Sequence, residues 1–218
     1  MHPQHQQQSM ASPVRPVPPW VEIVEDTAFS LGTMLDAAIA DECLRARFPH
    51  WLMLESAICR VSAQALEGLA NWHVAAPDLH SVALDWAAEI RDRGWRAEGE
   101  ARALGVDATP SAVGLEAWRR FAASAASSTQ AGEALGAVLL HERLMQGVAR
   151  QAVSAAVQSV GSASDYLRRR SQPERAIDRA ARDVLLNAYS ATALATGARR
   201  AAGWYQEALA EAMALQHH

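Results

Sequence analysis

Apolar residues recur at intervals of three and four along most of this chain, and no segment alternates apolar with polar residues. The first such stripe runs through Val21, Val24, Ala28, Leu31 and Leu35. This spacing places apolar side chains on one face of a helix, whereas a half-buried strand would show a period of two. The sequence therefore predicts an all-α protein without a sheet.

Prolines divide this pattern into segments. Five of the nine prolines lie in the first 19 residues, beside several glutamines, and a stretch so poor in apolar residues cannot bury a core. We therefore expect a disordered Gln/Pro-rich tail at 1–19 and one helical domain at 20–218. Proline is tolerated in the first turn of a helix, so the remaining four are expected to mark helix starts. They are Pro49, Pro77, Pro110 and Pro173.

These signals together predict a single bundle of six or seven helices. The expected helices span about 20–43, 49–72, 78–104, 109–124 and 130–168, followed by one that starts at Ser171 and has a kink or a break at Gly197 or Gly203. The start at Ser171 rests on the order Ser-Gln-Pro-Glu, in which the serine and glutamate side chains can cap each other's backbone amides. The helix at 130–168 carries the broadest apolar face, and we expect it at the centre.

Charge and hydropathy exclude several classes of protein. The formal net charge is −4, whereas general binders of nucleic acid or of anionic membranes need an excess of positive charge. No apolar run is long enough to span a bilayer. The first residues also lack the basic and apolar segments of a secretory signal. We therefore expect a cytoplasmic protein, with export by a route that needs no hydrophobic signal as the alternative.

All twenty basic residues are arginine, and the chain contains no lysine. The favoured explanation is a GC-rich bacterial genome, whose codons favour arginine. The alternative is selection against an acceptor amine, because lysine is the residue that acylation and ubiquitin-like conjugation modify. That alternative would make the chain a secreted effector or a component of a conjugation pathway.

Sequence motifs for catalysis are absent. The chain has no Gly-x-Ser-x-Gly nucleophile motif and no glycine-rich phosphate-binding motif. His141 and Glu142 lie together on the predicted central helix, where such a pair could bind a metal or transfer a proton. The Glu-x-x-His repeats of di-iron bundles are missing. We therefore expect a polar pair without metal or cofactor, with a small helical enzyme centred on it as the alternative.

One basic cluster is a candidate contact site for an anion or an acidic partner. Arg168, Arg169 and Arg170 precede the predicted cap and Arg175 follows it, and arginines beside a helix N-terminus suit an anion. The favoured interpretation is structural: the triplet ends the fifth helix, faces solvent and complements the helix dipole.

Tryptophans supply the candidate interface. An indole N–H needs a hydrogen-bond partner, and tryptophan is enriched where proteins associate, although packing in the core is its commoner role. The candidates are Trp51, Trp72, Trp95, Trp118 and Trp204. The sequence as a whole favours a non-catalytic bacterial interaction or assembly module, which binds a protein partner or a second copy of itself.

Overall fold

The computed structural model describes residues 19–40, 42–108, 112–124, 130–160 and 164–214. Within these ranges the chain forms eight helices and no strand, so the all-α prediction is confirmed, with more helices than the six or seven expected. The helices are α1 (Pro19–Ala40), α2 (Glu42–Trp72), α3 (Pro77–Ala103), α4 (Val113–Ser124), α5 (Ala131–Val160), α6 (Asp165–Arg170), α7 (Ala176–Leu186) and α8 (Ala191–Ala214). Residues 1–18 of the predicted tail lie outside the described residues, as does the predicted helix start at Thr109 and Pro110. No described helix combines the length and apolarity needed to cross a bilayer.

The helices α2 and α3 form an antiparallel hairpin through the turn at 73–76. They approach closely because Gly94 of α3 has no side chain: a Cβ atom there would lie 3.0 Å from the Cβ atom of Cys59 on α2. Gly94 is thus a contact point within a continuous helix. α3 ends where Gly105 adopts a φ of +90°, a conformation that costs glycine little and commonly ends a helix.

Pro49 lies inside α2 rather than at its start. α2 begins at Glu42, so the predicted boundary at 49 is wrong and the helix is one to two turns longer than expected. From 51 to 59 every residue is buried, as in a helix surrounded by others on all sides. α2 therefore shares the interior of the bundle with α5.

The expected central position of the fifth helix is confirmed, since α5 packs against α1, α2, α4, α6 and α8. It meets α8 where two glycines let the backbones touch. A Cβ atom on Gly136 of α5 would overlap the carbonyl of Leu194, and one on Gly197 of α8 would overlap the carbonyl of Glu133. α8 runs unbroken through Gly197 and Gly203, so the predicted break is wrong; Gly197 serves close packing.

The predicted helix start at Ser171 is also wrong. Ser171 is the C-cap of α6, and its Oγ donates a hydrogen bond to the carbonyl oxygen of Arg168 at 2.8 Å. α7 begins after Arg175, which provides no side-chain cap. The carboxylate of Glu174 accepts from Arg182 of α7, so the glutamate of the expected capping box stabilises a tertiary contact.

The cap of this region is Ser164, whose Oγ accepts from the amide of Leu167 at 3.2 Å. We expect Ser164→Ala to lower the free energy of unfolding by about 1 kcal/mol, because α6 loses its N-cap acceptor. Urea denaturation measures this loss. Ser171→Ala is the matched control and should change stability by less than about 0.5 kcal/mol, since its hydroxyl is exposed. Equal losses in the two variants would contradict this assignment of the cap.

Candidate functional site

Charged and phenolic side chains lie in the interior where α2, α5, α6 and α8 meet. Each is at most 4% exposed, and a buried polar atom destabilises the fold unless it has a hydrogen-bond partner. These residues form what we call the buried cluster: Glu55, His141, Glu142, Tyr166, Arg170 and Tyr205.

The carboxylate of Glu55 accepts three hydrogen bonds from other helices. Nε2 of His141 lies 2.8 Å from Oε2, the hydroxyl of Tyr166 donates to the same oxygen at 3.1 Å, and the hydroxyl of Tyr205 donates to Oε1 at 2.8 Å. Burial disfavours the charged form, but attraction to His141 and the hydrogen bonds outweigh it and lower the pKa of Glu55 below its ordinary value. Glu55 is therefore an ionised carboxylate fully engaged by protein donors.

The next residue along α5 after His141 forms a separate ion pair. Both carboxylate oxygens of Glu142 lie 3.0 Å from Nη1 of Arg170, and Arg93 of α3 also donates to this carboxylate. Burial opposes the charge on Glu142, but the two guanidinium groups outweigh it and hold its pKa well below the ordinary value. Glu142 thereby joins α3, α5 and α6.

Other titratable groups in the interior are held in their neutral forms. Cys59 is a free thiol, and burial raises its pKa to about 12, so the nucleophilic thiolate does not form at neutral pH. Burial also raises the pKa of Tyr166 and of Tyr205 well above the ordinary value. Both phenols therefore remain hydrogen-bond donors to Glu55.

A cleft of about 580 Å³ opens beside the buried cluster, between α3, α6 and α7. Five arginines and four carboxylates line it. Glu89 pairs with both Arg93 and Arg182, and the guanidinium of Arg182 lies 4.7 Å from the ring centroid of Trp86, within the range of a cation–π interaction. Because Arg93 also pairs with Glu142, the wall of the cleft is continuous with the buried cluster.

The four predicted contact arginines are Arg168, Arg169, Arg170 and Arg175. The last three line the cleft, and Arg168 does not. Arg168 and Arg169 are exposed and both pair with Asp165, and Arg175 is exposed and pairs with Asp178. The side chain of Arg170 is 2% exposed, so the expectation that the whole triplet faces solvent is wrong. α6 is a separate helix, and its inner face carries Arg170.

The five candidate interface tryptophans also separate into different environments. Trp51 and Trp118 are each 1% exposed and belong to the core, and Trp204 is partly buried against that core. Trp72 and Trp95 are 46% and 61% exposed. Roughly 25 Å of α3 separates Trp95 from the turn that follows Trp72. The exposed tryptophans therefore do not form one surface.

The polar pair His141 and Glu142 is buried, and its two members take different partners. Among the described residues, no group of three or more His, Cys, Asp or Glu side chains is arranged to hold a metal ion.

Sequence reasoning missed Glu55, Arg93, Tyr166 and Tyr205. A signal for Glu55 was present, since it is the one charged residue in the segment 51–59. A charge inside a segment apolar on every face is buried and requires a partner. The other three carry no comparable signal, because they lie in ordinary amphipathic surroundings.

No protein-family model matches the chain, and comparisons with curated proteins and with solved structures find no significant match. The function is therefore inferred from the arrangement of the side chains.

Proposed function

We propose that the protein is a non-catalytic helical module that binds a second copy of itself through the outer face of α7. The observation that carries this proposal is a pair of exposed aliphatic side chains, Ile177 at 74% and Val184 at 56% exposure. They are two turns apart and share one face of the helix. Ala180, also exposed, lies between them. We call Ile177, Ala180 and Val184 the α7 stripe.

Charges beside the α7 stripe favour a second copy as the partner. Arg179 and Asp183 are both exposed and lie one turn apart. In a two-fold interface each copy presents the same patch, so an antiparallel pair of α7 helices would set Arg179 of one copy near Asp183 of the other, twice. Opposite charges at the edge of an apolar contact favour the matching register.

The expected association is weak. α7 has 11 residues, and a contact built on one short helix falls in the class of transient interfaces, below about 1,200 Å². We expect a Kd between about 1 µM and 1 mM. The small side chain of Ala180 at the middle of the stripe would let the two helices approach closely.

The buried cluster supports a non-catalytic role. The carboxylates of Glu55 and Glu142 are occupied by protein donors, and the thiol of Cys59 is protonated and inaccessible. A general base or a nucleophile needs a free lone pair within reach of a substrate. The carboxylates of Glu55 and Glu142 instead hold the helices together.

Sedimentation velocity over a range of protein concentrations tests the proposal. We expect the wild type to shift towards a dimer as concentration rises, and Val184→Asp to remain a monomer, because the carboxylate would be buried in an apolar contact. Val74→Asp is the matched control. Val74 is 66% exposed in the turn between α2 and α3, so the same substitution there should leave the association unchanged.

A charge exchange separates a second copy from an unrelated partner. Arg179→Asp and Asp183→Arg should each weaken the dimer, and the double variant should restore it, because both cross-pairs form again with opposite sign. A wild type that stays monomeric at about 1 mM would overturn the proposal. A dimer unaffected by Val184→Asp would do the same.

A further inference from the structure

Two buried residues beside the cleft between α3, α6 and α7 carry N–H groups that lack an acceptor among the described residues. Nη1 of Arg170 donates to Glu142, whereas Nε and Nη2 of the same guanidinium have no hydrogen-bond partner among the described residues. Nε1 of Trp86 is likewise buried without a partner. Both residues line the cleft. Buried N–H groups destabilise a fold unless an acceptor is supplied, and the described part of the chain supplies none here.

The free edge of Arg170 restricts the chemistry of that group. The N–H bonds of Nε and of the adjacent Nη2 run parallel from one edge of a planar, permanently charged group. This edge matches two oxygen atoms of one carboxylate or phosphate group. Trp86, which is 3% exposed, adds a neutral donor suited to an oxygen acceptor.

The carboxylates that line the cleft do not serve as acceptors for the free N–H groups of Arg170 and Trp86. Glu89 and Glu174 both pair with Arg182, and Asp178 pairs with Arg175. Arg93 and Arg170 pair with Glu142, which lies behind the lining, so the described lining of the cleft has no excess of unpaired positive charge. The case for an anion therefore rests on the N–H groups that lack an acceptor.

The cleft also has room for more than an inorganic ion. Its volume of about 580 Å³ lies in the range of sites for small organic molecules, about 300–1,000 Å³. Val82, Pro173 and Ala181 contribute apolar atoms to the lining. Arg182 is fixed over Trp86 and by two carboxylates, so part of the wall is organised before a ligand arrives.

We propose that this cleft binds a small organic oxyanion, whose oxygens accept hydrogen bonds from Nε and Nη2 of Arg170 and from Nε1 of Trp86. The carbon body of the ligand lies against the apolar part of the wall. The site uses the inner side of α7 and does not depend on the α7 stripe.

Isothermal titration calorimetry with four probes tests this site: benzoate, acetate, phenyl phosphate and inorganic phosphate. We expect saturable binding with one site per chain. Benzoate should bind more tightly than acetate, and phenyl phosphate more tightly than inorganic phosphate, because the ring buries apolar surface in the cleft. The stronger of the two aromatic probes identifies whether the natural anion is a carboxylate or a phosphate.

Two conservative variants locate the anion. Trp86→Phe keeps an aromatic ring over Arg182 and removes the indole N–H, and we expect about tenfold weaker binding. Arg170→Lys keeps a positive charge beside Glu142 but lacks the two-donor edge, and we expect saturable binding to be lost. Arg168→Lys is the control on the same helix, because Arg168 is exposed and pairs with Asp165. Its affinity should equal that of the wild type.

A cooperative thermal transition in each variant first establishes that it is folded. If Arg170→Lys does not fold, Trp86→Phe decides the question alone. Absence of saturable binding of all four probes to the wild type would overturn the proposal. Unchanged affinity in Trp86→Phe and in any folded Arg170→Lys protein would place the anion on exposed arginines, which would also overturn it.

Discussion

We expect Glu142→Gln to lower the free energy of unfolding by about 3–5 kcal/mol, the usual cost of removing one partner from a buried ion pair. Glutamine keeps the size of the side chain and removes its charge, so Arg93 and Arg170 would face each other without a carboxylate between them. Arg170 is 4% exposed, which prevents bulk water from taking the place of the carboxylate. Urea denaturation at pH 7, followed by circular dichroism, measures the loss.

The acid stability of the wild type depends on the same pair. Burial alone would raise the pKa of Glu142, but Arg170 and Arg93 hold it well below the ordinary value. A carboxylate with a lowered pKa in the folded state stabilises the protein above the pKa of the unfolded chain, about 4.3. That stability is lost as pH falls towards the folded-state pKa. Below about pH 5 the wild type should therefore lose more stability than Glu142→Gln loses.

Glu116→Gln is the control for this prediction. Glu116 forms an exposed pair with Arg119 one turn along α4, and pairs of this kind contribute little to stability. We expect a change of less than about 0.5 kcal/mol. A similarly small change in the free energy of unfolding of Glu142→Gln would show that burial of Arg93 and Arg170 does not depend on this carboxylate.

Gly197→Ala should also destabilise the protein, by about 3 kcal/mol, the upper end of the usual cost of overpacking a core. The added methyl group would overlap the backbone of Glu133 on α5, and backbone cannot move aside as a flexible side chain can. α5 and α8 would have to separate. Thermal and urea denaturation should both show the loss.

The same substitution six residues further along α8 is expected to change stability in the opposite direction. A Cβ atom on Gly203 would have no heavy atom within 4 Å outside its own helix. Alanine favours the helix over glycine by about 0.5–1 kcal/mol, so Gly203→Ala should stabilise the protein by that amount. Equal effects at the two positions would contradict the close contact between α5 and α8.

The helical class could be predicted because periodicity is a local property of the sequence. The boundaries that failed relied on local signals that tertiary contacts override. Pro49 by itself predicts a helix start, yet the chain accommodates it within α2. The Ser-Gln-Pro-Glu segment has the residues of a capping box, but Glu174 binds Arg182 on the following helix. Nothing in the segment itself specifies that partner.

The candidate site was harder to predict for a related reason. The sequence indicates His141 and Glu142 as a candidate pair because they are polar neighbours on an apolar helix. Their roles depend on partners from distant parts of the chain. Glu55 lies on another helix 86 positions away from His141. In the sequence, nothing distinguishes Arg170 from the two arginines before it. It is buried because α6 turns this side chain towards the interior.

Because α6 is short, the structure of the cleft depends on the helices that pack against α6. A helix of six residues is too short to persist by itself, so its structure depends on what it touches. Opening it would withdraw Tyr166 from Glu55 and Arg170 from Glu142, and so disrupt contacts to α2 and α5 at once. The opening of α6 is therefore coupled to the packing of α2 and α5. A ligand held in the cleft would stabilise the whole bundle against unfolding, in proportion to the logarithm of its concentration.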